Sequence, residues 1–309
     1  MNLTAGSMKT CYMFKERFEI VNTFPSYAYV VNHVVVCVVN AIITITTVCL
    51  NTLTLLTFWK SSRLKQKACY TLIVVQSFID LGVGMIGSTI YTFLLANEIA
   101  GTGSCGQYLA SRKMSMLLTI LSISTLSGMN IERYISVVHP ITHRNRVTRK
   151  SQIIYVTCIY FLCIIMLALS FVLRRAFATF VISLVIFFLG TTAYIYIKIF
   201  VAATLSNTII PLQNEFLENS SSCKRKRKFL REIRLAKSCF LVVTCTFLCF
   251  LPAAVLGGSN SGGFNNSVLK YWSVTLTMLN PSLNSVIFFW KNATLRNELK
   301  TVLRGICRS

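Results

Sequence analysis

Seven long apolar stretches, most of them almost without charged residues, constrain this chain more than any other feature. The first is the clearest, because residues 20–59 contain no Asp, Glu, Lys or Arg. A transmembrane helix needs about 20 mainly apolar residues to cross a hydrocarbon core ~30 Å thick. A soluble helical bundle would need polar outer faces, which these stretches lack. The sequence therefore predicts an all-α membrane protein whose seven spanning helices lie at about 29–58, 69–95, 113–137, 151–173, 178–203, 238–258 and 271–290.

The composition agrees with a membrane protein. Hydrophobic residues make up 54% of the chain and charged residues 13%, against roughly 25% charged residues in soluble globular proteins. A soluble enzyme is therefore disfavoured. A net charge of +22 would suggest a nucleic-acid partner in a soluble protein. In a chain this apolar it indicates basic loops beside a membrane, so we expect a lipid bilayer and no nucleic acid as partner.

The basic residues also predict the orientation in the membrane. They are concentrated in segments 60–67, 144–150, 224–237 and 296–308, and fewer lie in the segments on the other side. Short loops rich in Lys and Arg stay in the cytoplasm. We therefore expect an extracellular N-terminus, a cytoplasmic C-terminus and an odd number of spans in the plasma membrane.

Several polar residues interrupt the apolar spans. Asp80 lies deep in the second span, where a charged side chain costs about 2.5–3.5 kcal/mol on insertion scales and should face the bundle interior. One interpretation is a neutral, hydrogen-bonded Asp with a structural role. The other is a site for a small hard cation such as Na⁺, because Ser122, Asn280 and Asn284 provide further oxygen ligands.

Two features point to a switch, the first of them at the predicted cytoplasmic side. Adjacent charges on a helix do not face each other well, so Arg133 in Glu132-Arg133-Tyr134 should reach another helix, with Glu232 as the candidate partner. The alternative is a pair of interfacial charges that extend to water. Pro252 lies inside the sixth span and should kink it, either as a hinge or as a static bend.

Modification sites are predicted at both ends. Cys11 and Cys105 lie on the outer side and could form a disulfide in an oxidising compartment. Asn2 and Asn265 begin glycosylation sequons on that side. Cys307, near the C-terminus, is a candidate for palmitoylation.

These residues, in this order on seven spans, resemble the rhodopsin-like (class A) G-protein-coupled receptors over about 29–304. The matching motifs are Asn51, Asp80, Glu132-Arg133-Tyr134, His139-Pro140, Tyr196, Cys249-Phe250-Leu251-Pro252 and the segment 279–288. The chain departs from the family at Phe250, where the family has Trp, at Ser285, where it has Pro, and at Phe288, where it has Tyr. The usual disulfide from the third helix to the second outer loop also has no cysteine in that loop. Similar absences in some melanocortin, lysophospholipid, cannabinoid and adenosine receptors suggest that group.

The resemblance implies a receptor, not an enzyme. An extracellular ligand would move the sixth helix outward about a hinge at Phe250 and Pro252 and open a cleft for a heterotrimeric G protein, with arrestin as a further partner. The implied switch residues are Glu132, Arg133, Tyr134, Glu232, Tyr196 and Phe288. The implied sodium pocket consists of Asp80, Ser122, Asn280 and Asn284, and no other cofactor is expected.

The resemblance also divides the chain into three parts. These are an extracellular N-terminus at 1–28, a receptor domain at 29–290, and a cytoplasmic amphipathic eighth helix with a tail at 291–309. Ser115 stands where amine receptors carry Asp, which disfavours an amine ligand. Arg112 and Lys113 favour an anionic or lipid ligand near Ser115 and Met116, although both cations could instead be interfacial anchors. Alternative functions are a non-signalling seven-helix decoy or, less favoured, a transporter or channel.

Overall fold

The structure, a computed structural model, describes most of the chain. It covers residues 6–14, 16–66, 68–173, 183–184, 186–188, 190–201, 204, 220–257 and 264–306.

Helices dominate the described residues. They are α1 (Tyr27–Lys60), α2 (Ser62–Lys65), α3 (Thr71–Gly82), α4 (Thr89–Ile99), α5 (Cys105–Val138), α6 (Pro140–Arg146), α7 (Arg149–Leu169), α8 (Ile186–Val201), α9 (Ser220–Gly257), α10 (Phe264–Lys291) and α11 (Ala293–Ile306). A π-helical segment, Val83–Ser88, joins α3 to α4, so the second span is one helical rod from Thr71 to Ile99.

The seven-helix bundle agrees with the predicted fold class. Within the described residues, α1, Thr71–Ile99, α5, α7 and the Cys239–Leu256 part of α9 are long and apolar enough to cross a membrane. The shorter apolar helix α8 and the more polar helix α10 complete the seven. The third helix begins earlier than predicted, at Cys105 instead of about 113, because Ser104 and Gln107 form a reciprocal capping box beyond the apolar stretch.

A β-hairpin in the N-terminal segment was not predicted. Strand β1 (Ser7–Met13) pairs antiparallel with β2 (Glu16–Thr23). Phe18 and Ile20 are buried while Arg17 is exposed, the alternation typical of a half-buried strand. That short period-two pattern was the available signal, and the all-α prediction was wrong at this element.

A disulfide attaches the hairpin to the bundle. Cys11 in β1 is bonded to Cys105 at the first turn of α5, with their Cα atoms 5.8 Å apart. The ring of Phe18 stacks on Tyr108, with 4.8 Å between the ring centroids. We call this end of the bundle the hairpin end, and the end where α5 finishes near Val138 the opposite end.

The spanning helices pack with polar side chains inside the bundle. Helix α10 lies between α9 and α1, and α5 contacts α3, α4, α7 and α9. Large apolar side chains such as Ile45, Phe78 and Phe187 are exposed on the outside. Polar groups therefore turn inward and apolar groups outward, as expected for a bundle surrounded by lipid.

Candidate functional site

Asp80 lies at the centre of a buried polar cluster that joins three helices. Only 1% of the residue is exposed. Its Oδ1 accepts a hydrogen bond from Gln76 Nε2 at 2.8 Å, and its Oδ2 accepts one from Asn284 Nδ2 at 3.0 Å. Gln76 also donates to Ser122 Oγ at 2.7 Å. The carboxylate of α3 is therefore connected to both α5 and α10.

The residues of this cluster differ from those predicted for the sodium pocket. Asn280 accepts a hydrogen bond from Thr246 of α9 at 2.9 Å, and within the described residues no hydrogen bond joins it to Asp80. Gln76, one helical turn before Asp80, was missed, although the i, i+4 spacing places both side chains on one helix face. Gln76 Oε1 and Asn284 Oδ1 are buried without a hydrogen-bond partner. The oxygens present suit a small hard cation when these two amides turn their oxygens toward Asp80.

Ser285 replaces the proline of the family motif and gains a specific contact. Its Oγ donates to Asn51 Oδ1 at 2.7 Å across the interface between α1 and α10. One turn away, Thr47 Oγ1 and Ser282 Oγ are hydrogen-bonded at 2.6 Å. Pro281 is buried inside α10, so the proline of this helix lies one turn earlier than in the family.

At the opposite end, Arg133 pairs with its neighbour Glu132, and the expectation that it also reaches another helix stays a prediction. Arg133 Nε donates to Glu132 Oε2 at 2.9 Å, and His143 Nε2 lies 3.0 Å from Glu132 Oε1. Both members of the Glu132–Arg133 pair are 4% exposed. Because an unpaired buried charge is strongly unfavourable, the two long side chains fold back onto each other. The predicted partner Glu232 lies on α9, but its side chain is outside the described residues.

His143 was missed by the sequence reasoning. It lies on α6, where Pro140 occupies the first turn, a position that suits a helix start. Since α6 directly follows α5, the imidazole can reach back to the carboxylate. Glu132 therefore links α5 to the connection between the third and fourth spans.

The other predicted switch residues lie near this pair. Tyr196 of α8 donates to Asn130 Oδ1 of α5 at 3.0 Å. Tyr134 packs edge-on against His139, with 5.7 Å between the ring centroids. Phe288 is 4% exposed and belongs to the apolar core at this end.

A cavity lies between α5, α9 and α10, beside the Asp80 cluster. Its volume is about 10 Å³, room for about one water molecule. Its described lining residues are Val83, Ser115, Leu118, Thr119, Ser122, Phe250, Thr277, Met278, Asn280 and Pro281. All of these are uncharged. Ser115 Oγ is buried without a hydrogen-bond partner. Phe250 forms part of the wall, two residues before the helix-kinking Pro252.

The predicted ligand residues do not converge on this cavity. Lys113 is 8% exposed, donates to Ser170 Oγ at 3.2 Å and lies 4.8 Å from the ring centroid of Phe171. Met116 packs on the apolar cluster that joins α5 to α7. Both residues therefore turn toward α7, and of the four predicted residues only Ser115 lines the cavity, while Arg112 is exposed.

A second buried polar cluster, at the hairpin end, was also missed. Glu98 of α4 is 1% exposed. Its Oε2 lies 2.9 Å from His33 Nε2 of α1, and its Oε1 accepts from the hydroxyl of Tyr271 of α10 at 3.0 Å. Phe24, after the hairpin, packs edge-on against His33. Nothing in the spacing of three residues so far apart in sequence indicates that they meet.

Comparisons with known proteins agree with this architecture. Residues 50–179 match the family described as the 7 transmembrane receptor (rhodopsin family). The fold is similar to the crystal structure of squid rhodopsin, with a TM-score of 0.78 and 14% identity over 92% of this chain and 88% of the squid chain. The match covers less than half of the chain, and over that part the chain is similar to the rhodopsin-like (class A) receptors. Proteins of this family and fold are signalling receptors that span the membrane several times, and they are not enzymes.

A curated relative gives a second comparison. The receptor is 22% identical to lysophosphatidic acid receptor 3 of Rattus norvegicus over 237 residues, which cover 69% of this chain and 64% of that protein. The match thus spans a little less than two thirds of the relative. It does not assign the receptor to a subgroup, and the expected kinship with the melanocortin, lysophospholipid, cannabinoid and adenosine group stays a prediction.

Two of the three predicted lipid or glycan attachment sites lie outside the described residues, namely Asn2 and Cys307. The third, Asn265, lies in the first turn of α10, where its side-chain oxygen accepts a hydrogen bond from Tyr29 of α1. Glycosylation and palmitoylation of this receptor stay predictions.

Proposed function

We propose that this receptor relays the binding of an extracellular ligand to a cytoplasmic heterotrimeric G protein, with arrestin as a further partner. The observation that carries the proposal is the buried Glu132–Arg133 pair at the end of α5, held also by His143. A buried pair that must break to release its arginine is a two-state element. A ligand that binds one of the two states better shifts their populations.

The proposed orientation places the hairpin end outside the cell and the opposite end in the cytoplasm. The exposed basic residues at the opposite end support it, because Lys and Arg accumulate on the cytoplasmic side of membrane proteins. They include Lys60, Arg63, Arg144, Arg146 and Lys291.

The proposed motion is an outward swing of α9 about Pro252. Proline removes one backbone hydrogen bond and weakens the helix there. Phe250 forms a wall of the cavity, so a group entering the cavity pushes on the helix beside the hinge. Coupling of about 1–3 kcal/mol between ligand and G protein is typical of allosteric proteins.

We propose an amphiphilic lipid as ligand. The uncharged cavity lining supports contact with an apolar portion of the ligand, which enters as α9 moves outward, and Ser115 Oγ is the proposed hydrogen-bonding group. The exposed guanidinium of Arg112 is the proposed partner of an anionic headgroup. The rat relative is named as a receptor for lysophosphatidic acid, which is consistent with this chemistry.

We also propose that Na⁺ binds the Asp80 cluster and favours the inactive state. The carboxylate and the oxygens of Ser122, Gln76 and Asn284 form the proposed ligand set. This ligand set differs from the one predicted from the sequence, because Gln76 takes the place of Asn280.

The test is G-protein activation in cells that express the receptor at equal surface levels. We expect His143→Ala to raise basal activation, because Glu132 loses one of its two partners and holds Arg133 less firmly. Glu232→Ala tests the partner predicted from the sequence in the same way. Arg133→Ala should abolish activation. His139→Ala is the matched control, since within the described part of the chain the side chain of this neighbouring histidine makes only a ring contact with Tyr134.

The same assay addresses the ligand and the ion. Lysophosphatidic acid and an uncharged monoacylglycerol of equal chain length serve as probes, and we expect only the anionic lipid to activate through Arg112. Replacing Na⁺ by choline should raise basal activation in the unaltered receptor and not in Asp80→Asn. If no variant activates a G protein at normal surface expression, the result would favour the non-signalling decoy. A measured ion flux through the protein would favour a channel.

A further inference from the structure

The tip of the N-terminal hairpin carries a phenylalanine in a strained backbone conformation. Phe14 lies in the turn between β1 and β2 and has a positive φ of 47°. A bulky residue is rarely found in this left-handed region, which a glycine occupies without steric cost. Strain of this kind is concentrated at functional sites. The turn therefore keeps an aromatic ring at a position whose backbone favours a small residue.

Contact with the end of α7 covers only part of this ring. Phe14 packs edge-on against Phe171, with 5.2 Å between the ring centroids, and Phe171 lies two residues beyond the last residue of α7. Phe14 is nevertheless 56% exposed. Val172 and Leu173, which follow Phe171, are exposed as well. We call the exposed apolar surface of Phe14, Val172 and Leu173 the tip patch.

The tip patch continues the lipid-facing surface of α7. Among the described helices that are long and apolar enough to cross a membrane, α7 is the least buried. Ile154, Phe161 and Ile165 are exposed along its length, and Leu169 is exposed at its last turn. Lipid surrounds such an apolar surface in a membrane. The apolar surface that begins on α7 therefore extends to the hairpin tip.

The length of α7 gives the depth of the tip patch in the membrane. The helix begins with two exposed cations, Arg149 and Lys150, and basic residues of this kind flank membrane spans. Its 21 residues extend over about 31 Å at 1.5 Å per residue, which matches a hydrocarbon core ~30 Å thick. The tip patch, directly after the helix, therefore lies at the lipid interface of the hairpin end.

We propose that the hairpin tip is a membrane anchor, with Phe14, Val172 and Leu173 inserted between the acyl chains where they meet the headgroups. Phenylalanine and leucine side chains bind at this boundary by burying apolar surface. The partner is the apolar part of any bilayer lipid, because the three side chains are uncharged. Insertion supplies the apolar environment that the exposed ring of Phe14 lacks in water. The anchor holds the tip at the edge of the bundle, while the Cys11–Cys105 disulfide holds β1 on α5.

The experiment compares two tryptophan variants of the full receptor in nanodiscs. F14W places an indole ring at the hairpin tip. The matched control T10W places one at an exposed position of the same strand, about 13 Å from the tip at 3.3 Å per residue. Thr10 directly precedes the disulfide-bonded Cys11, so it lies beside the bundle. Subtracting the spectrum of the unaltered receptor removes the signal of its three natural tryptophans.

We expect lipids brominated near the headgroup end of their acyl chains to quench the added signal of F14W several-fold more strongly than that of T10W. Lipids brominated near the far ends of the chains should quench F14W less, because the tip patch lies at the interface and not at the bilayer centre. Acrylamide, a quencher dissolved in the water, should give the reverse order of the two variants.

Equal quenching of F14W and T10W by the brominated lipids would overturn the proposal, and so would stronger quenching of F14W than of T10W by acrylamide. V172W is a second probe of the tip patch and should respond as F14W does, so the test remains decisive if F14W does not fold. An unchanged melting temperature shows that a variant keeps the fold. Because no G protein takes part, this outcome is independent of the signalling assay.

Discussion

At the scale of single residues, the tight packing of α5 against α7 depends on a glycine. A Cβ atom added at Gly128 of α5 would lie 2.6 Å from Cε1 of Tyr155 on α7. The hydroxyl of Tyr155 donates to the carbonyl oxygen of Ser124 at 3.1 Å, which holds the ring in this place. The two helices can therefore pack this tightly only without a side chain at position 128.

We expect Gly128→Ala to lower the apparent melting temperature in detergent, because overpacking of this kind typically costs about 1–3 kcal/mol. Gly106→Ala on the same helix is the control, since a Cβ there meets nothing within 4 Å. Tyr155→Ala should make the Gly128 substitution nearly harmless in the double variant, because the clashing ring is gone. Equal melting temperatures for the two alanine variants would contradict this interpretation.

At the scale of elements, the cluster of His33, Glu98 and Tyr271 connects three helices at the hairpin end. Each side chain comes from a different spanning helix, and the Glu98 side chain is fully buried. The carboxylate of Glu98 depends on both His33 and Tyr271, because a buried carboxylate that loses a hydrogen-bond partner still has the free-energy cost of desolvation.

We expect Glu98→Ala to destabilise the receptor by about 3 kcal/mol, as is typical when a buried polar pair loses one member. Glu19→Ala should cost no more than about 1 kcal/mol, because Glu19 pairs with Arg17 on the exposed hairpin at 4.0 Å. Thermal unfolding in detergent measures both. A double-mutant cycle with His33→Ala should show strong coupling, and additive effects would mean that the two side chains do not support each other.

At the scale of the whole molecule, one disulfide crosslinks the hairpin to α5 of the bundle. The cysteines of the Cys11–Cys105 disulfide are 94 residues apart in sequence. A crosslink of this separation limits the unfolded chain and typically contributes about 2–4 kcal/mol.

We expect C11S/C105S to melt at a lower temperature than the unaltered receptor, and reduction of the unaltered receptor to produce the same decrease. C49S/C158S is the control, because both of these cysteines are free and exposed. If reduction left the melting temperature unchanged, the noncovalent contacts of Phe18 and Ile20 would hold the hairpin by themselves.

The sequence by itself determined the number and approximate places of the spans, because crossing a membrane demands long apolar runs that can be read without any partner. It also indicated the receptor family and that Asp80 lies among polar side chains. It missed the hairpin, whose alternating pattern covers only a few residues, and it placed the start of α5 too late because the capping box lies beyond the apolar stretch.

Only the tertiary structure decided which polar groups meet. Gln76 joins Asp80 while Asn280 turns to Thr246, and Arg133 pairs with Glu132. These pairings depend on how each helix is rotated about its axis and how closely it packs against its neighbours. A buried polar group accepts whichever partner that packing brings within hydrogen-bonding distance, and apolar patterning along one helix carries no information about the facing helix.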